Sequence, residues 1–383
     1  MASIILEKIA HRYPHQKKSR SGASLDVYAL QPLSLRLEHG HTYALLGPSG
    51  CGKTTLLNII SGLLTPSEGK IFIDQQDVTR WPIKRRNIAQ VFQFPVVYDT
   101  MTVFANLAFP LRNRDIPEDQ TKARVHEIAD ILGLERYLGQ TAKSLSADVK
   151  QKISLGRGII RRDVGAILFD EPLTVVDQQL KWELRQQLKT IQQQYQLTFI
   201  YVTHDQNEAL SLAQQVIVME KGRVIQIASP QELFENPKEI FVGHFIGSPG
   251  MNYMSFTVEQ PLGQKKQARM AGQNLSLPQD LMEKIPTDDL GSILTKLGIR
   301  PEFIELSLKP IAEAFAMQVM EVSQMGHFAL IRGKIGTSDV VAKTRDSSIF
   351  SVQPGQTLWA FFPSPHIRVF VDGKWLPSTG PQE

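Results

Sequence analysis

Residues Gly47 to Thr54 read Gly-Pro-Ser-Gly-Cys-Gly-Lys-Thr, a complete G-x-x-x-x-G-K-[ST] phosphate loop. Each fixed position has a mechanical reason. Glycines at 47, 50 and 52 let the backbone turn tightly and aim successive N–H groups at phosphate oxygens. Lys53 brings a point charge to the β- and γ-phosphates, and the Thr54 hydroxyl can ligate Mg²⁺. Pro48, Ser49 and Cys51 within the loop and Thr55 after it complete the expected phosphate-binding set. Cys51 is read as a small residue that fits, with no chemistry of its own. The flanks agree with the motif. Residues 43–46 form an apolar run that reads as a strand, and residues 55–60 read as a helix. Phosphates would then sit at a helix N-terminus, where unpaired N–H groups and the macrodipole favour anions.

The 383 residues are enough for two or three domains. With 42% hydrophobic and 21% charged residues, the composition is that of an ordinary soluble protein. A net charge of +4 comes from short, scattered basic clusters (Lys17-Lys18, Lys84-Arg85-Arg86, Arg161-Arg162, Lys265-Lys266), read as solvated surface or contacts to a membrane partner. They do not form a nucleic-acid stripe. The single cysteine, Cys51, excludes an internal disulfide and fits a reducing compartment. No window approaches ~18 consecutive apolar residues, so no transmembrane helix is expected. Nor does the start resemble a signal peptide.

The chain alternates strand-like and helix-like segments up to about residue 240. Residues 3–10 read as an edge strand, the polar stretch 14–24 as a surface hairpin or loop, and 27–37 as another strand. A hairpin is expected around 71–78. Helical periodicity dominates 102–162, with Val125, Ile128, Ala129 and Leu132 at helical spacing. Residues 164–169 and 198–202 are continuous apolar runs of the kind that become buried parallel strands, separated by an amphipathic helix over 180–195. This order predicts a parallel-sheet α/β core. Gly247-Ser-Pro-Gly250 reads as a linker, and the short β-type runs beyond it (328–335, 357–362, 367–371) as a separate small barrel or sandwich.

Further elements stand in the order that ABC-type ATPases use, and the chain resembles that family over residues 1 to about 240. Ala166-Ile-Leu-Phe-Asp-Glu171 resembles the Walker B strand. The resemblance implies that Asp170 holds Mg²⁺ through water and that Glu171 orients or polarises the attacking water. A pair of acids ending a buried apolar strand is expensive unless it serves a metal or substrate. Val202-Thr-His204-Asp-Gln resembles the switch histidine that contacts the γ-phosphate. Gln93, in Val91-Phe-Gln-Phe94, resembles the Q-loop glutamine that reaches Mg²⁺ and links the core to a helical subdomain. Leu173-Thr-Val-Val-Asp177 resembles the D-loop. Tyr13 lies where the family places an aromatic that stacks on adenine, with Tyr28 as a competitor.

The signature segment departs from the family's Leu-Ser-Gly-Gly-Gln. Here it reads Leu145-Ser146-Ala147-Asp148-Val149, keeping Ser146 and losing both glycines and the glutamine. In the family this segment contacts the γ-phosphate bound by the opposite subunit. A carboxylate at 148 brings negative charge toward that triphosphate, and side chains block close backbone approach, which puts the competence of the composite site in question. The altered signature, continuing Lys150-Gln-Lys152 and Leu155-Gly-Arg157, resembles ATPases of glycerol importers that occur as two different subunits. Residues 247–252, 297–302 and the tail 319–375 resemble ATPase subunits of sugar and polyol importers of the maltose type, with their C-terminal regulatory domain of oligonucleotide-binding-like barrels.

The expectation is therefore an α/β P-loop NTPase core (1–240) with a helical subdomain (about 94–162), then a β-barrel-like regulatory domain (248–383). It would bind ATP and Mg²⁺ and energise an importer of a carbohydrate or a polyol such as glycerol. Transmembrane permease subunits, a second and non-identical ATPase subunit and, indirectly, a solute-binding protein would be its partners, with no nucleic acid. It would sit peripherally on the cytoplasmic side of the inner membrane. The rival readings are a regulatory subunit that holds ATP with little turnover, a non-transport ABC ATPase acting on DNA or the ribosome, and, more distantly, a P-loop kinase.

Overall fold

The computed structural model describes residues 3–13, 28–260, 265–286 and 293–377. The polar stretch 14–24 lies outside the described residues. The chain divides into two compact units, 1–230 and 231–383.

The first unit is built on a six-stranded sheet. Its strands run in the order Arg223–Ala228, Gln215–Glu220, Thr42–Leu46, Phe199–Thr203, Ala166–Asp170, Ile88–Val91. The last five are parallel, and Arg223–Ala228 closes one edge antiparallel. Both faces are covered, which is why the central strands are apolar throughout. Ala166, Leu168, Ile200 and Val202 face a core shared with the helix Lys53–Ser61. Ile167, Phe169, Phe199 and Tyr201 face the opposite core, shared with the helices Val103–Arg112, Glu118–Ile131, Ala147–Ile159 and Gln178–Tyr195.

A second, antiparallel sheet of four strands (Tyr28–Leu37, Ile4–Arg12, Glu68–Ile73, Gln76–Asp77) closes over the helix Lys53–Ser61. The strand Ile4–Arg12 pairs on both sides and is interior, not the edge expected from its sequence. The hairpin expected around 71–78 forms. It turns at Asp74 and Gln75 with φ of 50° and 64°, the positive values that a type I′ turn requires.

Two arginines read as surface are instead buried. Arg86 donates to the carbonyls of Ile59 (2.7 Å), Ile60 (3.0 Å) and Thr79 (2.9 Å), satisfying the C-terminal end of the phosphate-loop helix. Arg161 is fixed by Asn87 and Asp163.

The second unit carries three antiparallel sheets around one apolar core, curled into a half-barrel. Its largest sheet orders Glu305–Ser307, Thr357–Phe361, Phe315–Gln324, Ala329–Ile335 and Ser338–Thr344. Alternate residues of Ala329–Ile335 are buried, as period-2 geometry dictates. Asn252 joins two of the sheets, donating to Ile299 O (3.2 Å) and Val341 O (2.9 Å) and accepting from Val341 N (2.8 Å).

The segment 247–250, expected as a linker, lies inside this unit. Arg300, almost wholly buried, donates to the carbonyls of Phe234 (2.8 Å), Gly243 (2.9 Å) and Ile246, and so fastens the short helices of residues 230–245 to the β structure.

Candidate functional site

Four loops leave the C-terminal ends of adjacent parallel strands, and they carry most of the residues singled out from the sequence. The first follows Thr42–Leu46. Gly47 packs so tightly that a Cβ there would lie 2.2 Å from the Met219 carbonyl oxygen, and Gly52 adopts φ 103°, which side-chain-bearing residues rarely reach. The loop leads directly into the helix Lys53–Ser61, with Pro48, Ser49 and Gly50 at the surface. Lys53 is buried, its Nζ donating to Gly47 O (2.7 Å) and Pro48 O (3.0 Å). Cys51 is also buried, and burial pushes its thiol pKa up despite the opposing pull of Lys53. That environment makes it a slow nucleophile.

Asp170 ends the strand Ala166–Asp170, and the Thr54 hydroxyl stands 3.4 Å from its Oδ1. Burial, then the charge of Glu171, raises the Asp170 pKa; the Thr54 hydroxyl and Lys53 only partly counter this. Such a carboxylate gains from a cation. The donor atoms here are hard oxygens, the set that Mg²⁺ takes.

Glu171 adopts φ 47°, unusual for a side-chain-bearing residue and typical of functional turns. Its amide donates to Val202 O (3.0 Å), keeping the turn against the neighbouring strand. Oε2 of Glu171 lies 3.0 Å from His204 Nδ1 and 3.2 Å from the Thr174 hydroxyl. A carboxylate only accepts, so the bond needs the proton on Nδ1 and leaves Nε2 free for another partner. His204, exposed, directly follows the strand Phe199–Thr203.

Tyr13 approaches the phosphate-loop helix, its hydroxyl 3.3 Å from the Thr55 hydroxyl, and its ring meets His11 edge-on at 4.6 Å. Tyr28, the competitor, is occupied elsewhere: it bonds Arg12 and donates to Glu68 at 3.1 Å.

Gln93 is half-buried two residues beyond Ile88–Val91. Ser146 caps the helix Ala147–Ile159, accepting from Val149 N at 3.5 Å. Asp177 caps Gln178–Tyr195, accepting from Leu180 N at 2.9 Å. Among the described residues these three make no hydrogen bond to the other candidates. Sequence reading missed two contributors. Thr174 grips Glu171, and buried Gln151 donates to the Pro172 carbonyl, tying the helix Ala147–Ile159 to the Glu171 turn. Thr174 and Gln151 both fall in stretches already noted for their resemblance, but neither was given a role there.

The ABC transporter family matches residues 30–174 and the TOBE domain family residues 297–370. The chain is 36% identical, over 89% of its length and 92% of the relative's, to the sn-glycerol-3-phosphate import ATP-binding protein UgpC of Pectobacterium atrosepticum. It is 35% identical, over 87% of its length and 90% of the relative's, to the oligosaccharides import ATP-binding protein MsmX of Bacillus subtilis. Among solved structures it is similar to the ATP-binding cassette MJ0796 in a dimeric post-hydrolysis state bound to ADP and Pi. That match has a TM-score of 0.52 and 26% identity over 59% of this chain and 98% of the other. It is also similar to cbiO1 from Clostridium perfringens, part of the ABC transporter complex cbiONQ, with a TM-score of 0.54 and 26% identity over 61% of this chain and 90% of the other.

Proposed function

Because the chain belongs to the ATP-binding subunits of ABC transporters, we propose that it binds and hydrolyses ATP to energise a membrane importer of a carbohydrate or a polyol such as glycerol, free or phosphorylated. The observation that carries the hydrolysis is the meeting, at the C-terminal ends of adjacent parallel strands, of the phosphate loop, the Thr54–Asp170 contact and the Glu171–His204 pair. Import and cargo class rest on relatives named for import of sn-glycerol-3-phosphate and of oligosaccharides, which the chain matches over nearly their whole length.

In this reading the loop amides and Lys53 hold the β- and γ-phosphates. Thr54, Gln93 and Asp170 would hold Mg²⁺, which neutralises phosphate charge when bound. Glu171, fixed by Thr174 and His204, orients and polarises the attacking water. His204 presents Nε2 to the γ-phosphate, and Tyr13 stacks on the adenine.

Ser146 and Asp177 would act toward a second ATPase subunit. Asp148 occupies the first turn of the helix that Ser146 caps. An acid there stabilises its own helix but cancels the positive end that an opposing triphosphate would use. This favours a non-identical partner that supplies an intact glycine signature to the site on this chain. Phe92, Phe94, Val96 and Tyr98 are all exposed around Gln93, with Phe94 at 69%. That apolar strip suits docking of the permease subunits. Among the described residues no helix is long and apolar enough to cross a membrane, which fits a peripheral subunit on the cytoplasmic face.

Co-expression with its permeases and any second ATPase, followed by cargo-stimulated ATP turnover in proteoliposomes, tests the proposal. An assembled complex in which ATP is neither hydrolysed nor needed for uptake would overturn it.

A further inference from the structure

Glu208 is a buried carboxylate that no step above uses. It lies in the helix Gln206–Leu212, four residues beyond His204, with its side chain only 3% exposed. Three donors from two elements, the strand Phe199–Thr203 and the helix Gln178–Tyr195, converge on it. Tyr201 OH donates to Oε2 at 3.1 Å and the Thr203 hydroxyl at 2.9 Å, while Lys181 Nζ lies 3.3 Å from Oε1. Lys181 belongs to the first turn of the helix capped by Asp177, and its own amide donates to the Asp177 carbonyl at 2.9 Å. Thr203 in turn accepts from the Asp205 amide at 3.0 Å. The two neighbours of His204 in the chain are thus locked to each other and to Glu208, and Glu208 is locked to the Asp177 helix.

A buried ion pair adds little net stability over apolar residues of the same shape, because desolvation offsets most of the attraction. What three convergent donors do supply is a single geometry. We infer that Glu208, held by Lys181, is a positioning residue. It fixes the backbone on both sides of His204, and so the His204–Glu171 contact, and it couples that contact to the Asp177-capped helix. The inference deepens the hydrolytic reading above and rests on it. A shift of the Asp177 helix would pull on Lys181 and Glu208, and through Thr203 alter how His204 meets Glu171. Nucleotide binding would be untouched, because Lys53 and the loop amides belong to a different strand end.

The test compares Glu208→Gln, Lys181→Met, Lys181→Arg and Thr203→Val in the assembled complex, measuring turnover per folded molecule, KM for ATP and binding of a fluorescent ATP analogue. The expected result is a loss of kcat of about tenfold or more in Glu208→Gln and Lys181→Met, with KM and analogue affinity within twofold of the parent. Lys181→Arg, which keeps the charge, should recover most of the loss, and a double variant carrying both Lys181→Met and Glu208→Gln should be no worse than Glu208→Gln alone. Should Glu208→Gln fail to fold, Thr203→Val removes one donor with almost no change of shape and must show the same kcat loss at unchanged KM. Parental kcat in the folded variants, or a fall in melting temperature with turnover per folded molecule unchanged, would overturn the inference and leave the hydrolytic reading standing. An inert parent complex would remove both.

Discussion

Oε2 of Glu171 is shared between His204 Nδ1 at 3.0 Å and the Thr174 hydroxyl at 3.2 Å. A carboxylate gripped from two sides has one orientation to offer a water molecule. Replacing it with an amide of the same shape should preserve nucleotide binding and remove the proton-accepting oxygen. Glu171→Gln in the assembled complex is therefore expected to lose about 10²-fold or more in turnover while retaining ATP affinity. Single-turnover hydrolysis beside equilibrium nucleotide binding measures this. Equal turnover in parent and variant would remove Glu171 from the mechanism.

The Tyr13–Thr55 contact makes a second, separable prediction. If the Tyr13 ring stacks on the base, Tyr13→Ala should weaken nucleotide binding by about 1–3 kcal/mol, the usual worth of base–aromatic stacking by alanine substitution. Tyr13→Phe should bind nearly as the parent does, and Tyr28→Ala should leave affinity unchanged, because Tyr28 is spent on Arg12 and Glu68. Titration with a fluorescent ATP analogue distinguishes the two tyrosines; a loss in Tyr28→Ala alone would reverse the assignment.

Asp170 should trade stability against function. Its pKa is raised in the fold, so the folded chain holds a proton there over a pH range in which the unfolded chain has lost it. Its contribution is therefore fully present below the ordinary carboxylate pKa and is lost as pH rises through the raised folded value. At neutral pH the charged form is the disfavoured one. Asp170→Asn should accordingly melt at a higher temperature than the parent at pH 7 without nucleotide, with the gap closing on acidification, while losing ATP turnover. Thermal melts across pH 4 to 8 check the sign.

The altered signature gives the fourth. Ala147→Gly with Asp148→Gly removes two side chains and one negative charge from the first turn of the helix Ala147–Ile159. With a non-identical ATPase partner present, turnover at the partner's phosphate loop should rise, and Glu171→Gln should still remove most activity of the native complex. Full cargo-stimulated activity from a complex in which this chain is the only ATPase subunit would defeat the asymmetric arrangement.

The parts legible in the sequence were those specified locally. A phosphate loop must be contiguous, because its glycines and lysine act within a single turn, and strands buried on both faces must be largely apolar runs, as 166–169 and 199–202 are. Alternation could not show that Ile4–Arg12 is paired on both sides, because one face of that strand meets the core whether or not a neighbour sits at its edge. Lys181 and Glu208 are 27 residues apart and polar, so each reads as surface until the fold brings them to 3.3 Å. Arg86 and Arg161 misled for the same reason. Gly247 to Gly250 read as a linker because of its glycines and proline. Gly250 is glycine because a Cβ would stand 2.2 Å from the His244 carbonyl oxygen, a demand of close packing rather than of freedom.

The carbonyls held by Arg300 bear on how such a chain could be recombined. A gene exchange joined at the glycine-rich 247–250 would inherit the arginine from one parent and the carbonyls of Phe234, Gly243 and Ile246 from the other. Backbone carbonyls are indifferent to sequence, but their spacing is not, and any change in length between 231 and 246 would strand a buried cation among unmatched acceptors. A join at 230 moves arginine and acceptors as one heritable block. The short helices after Pro230 are thus the leading edge of the second module, and crossovers that survive should fall ahead of them.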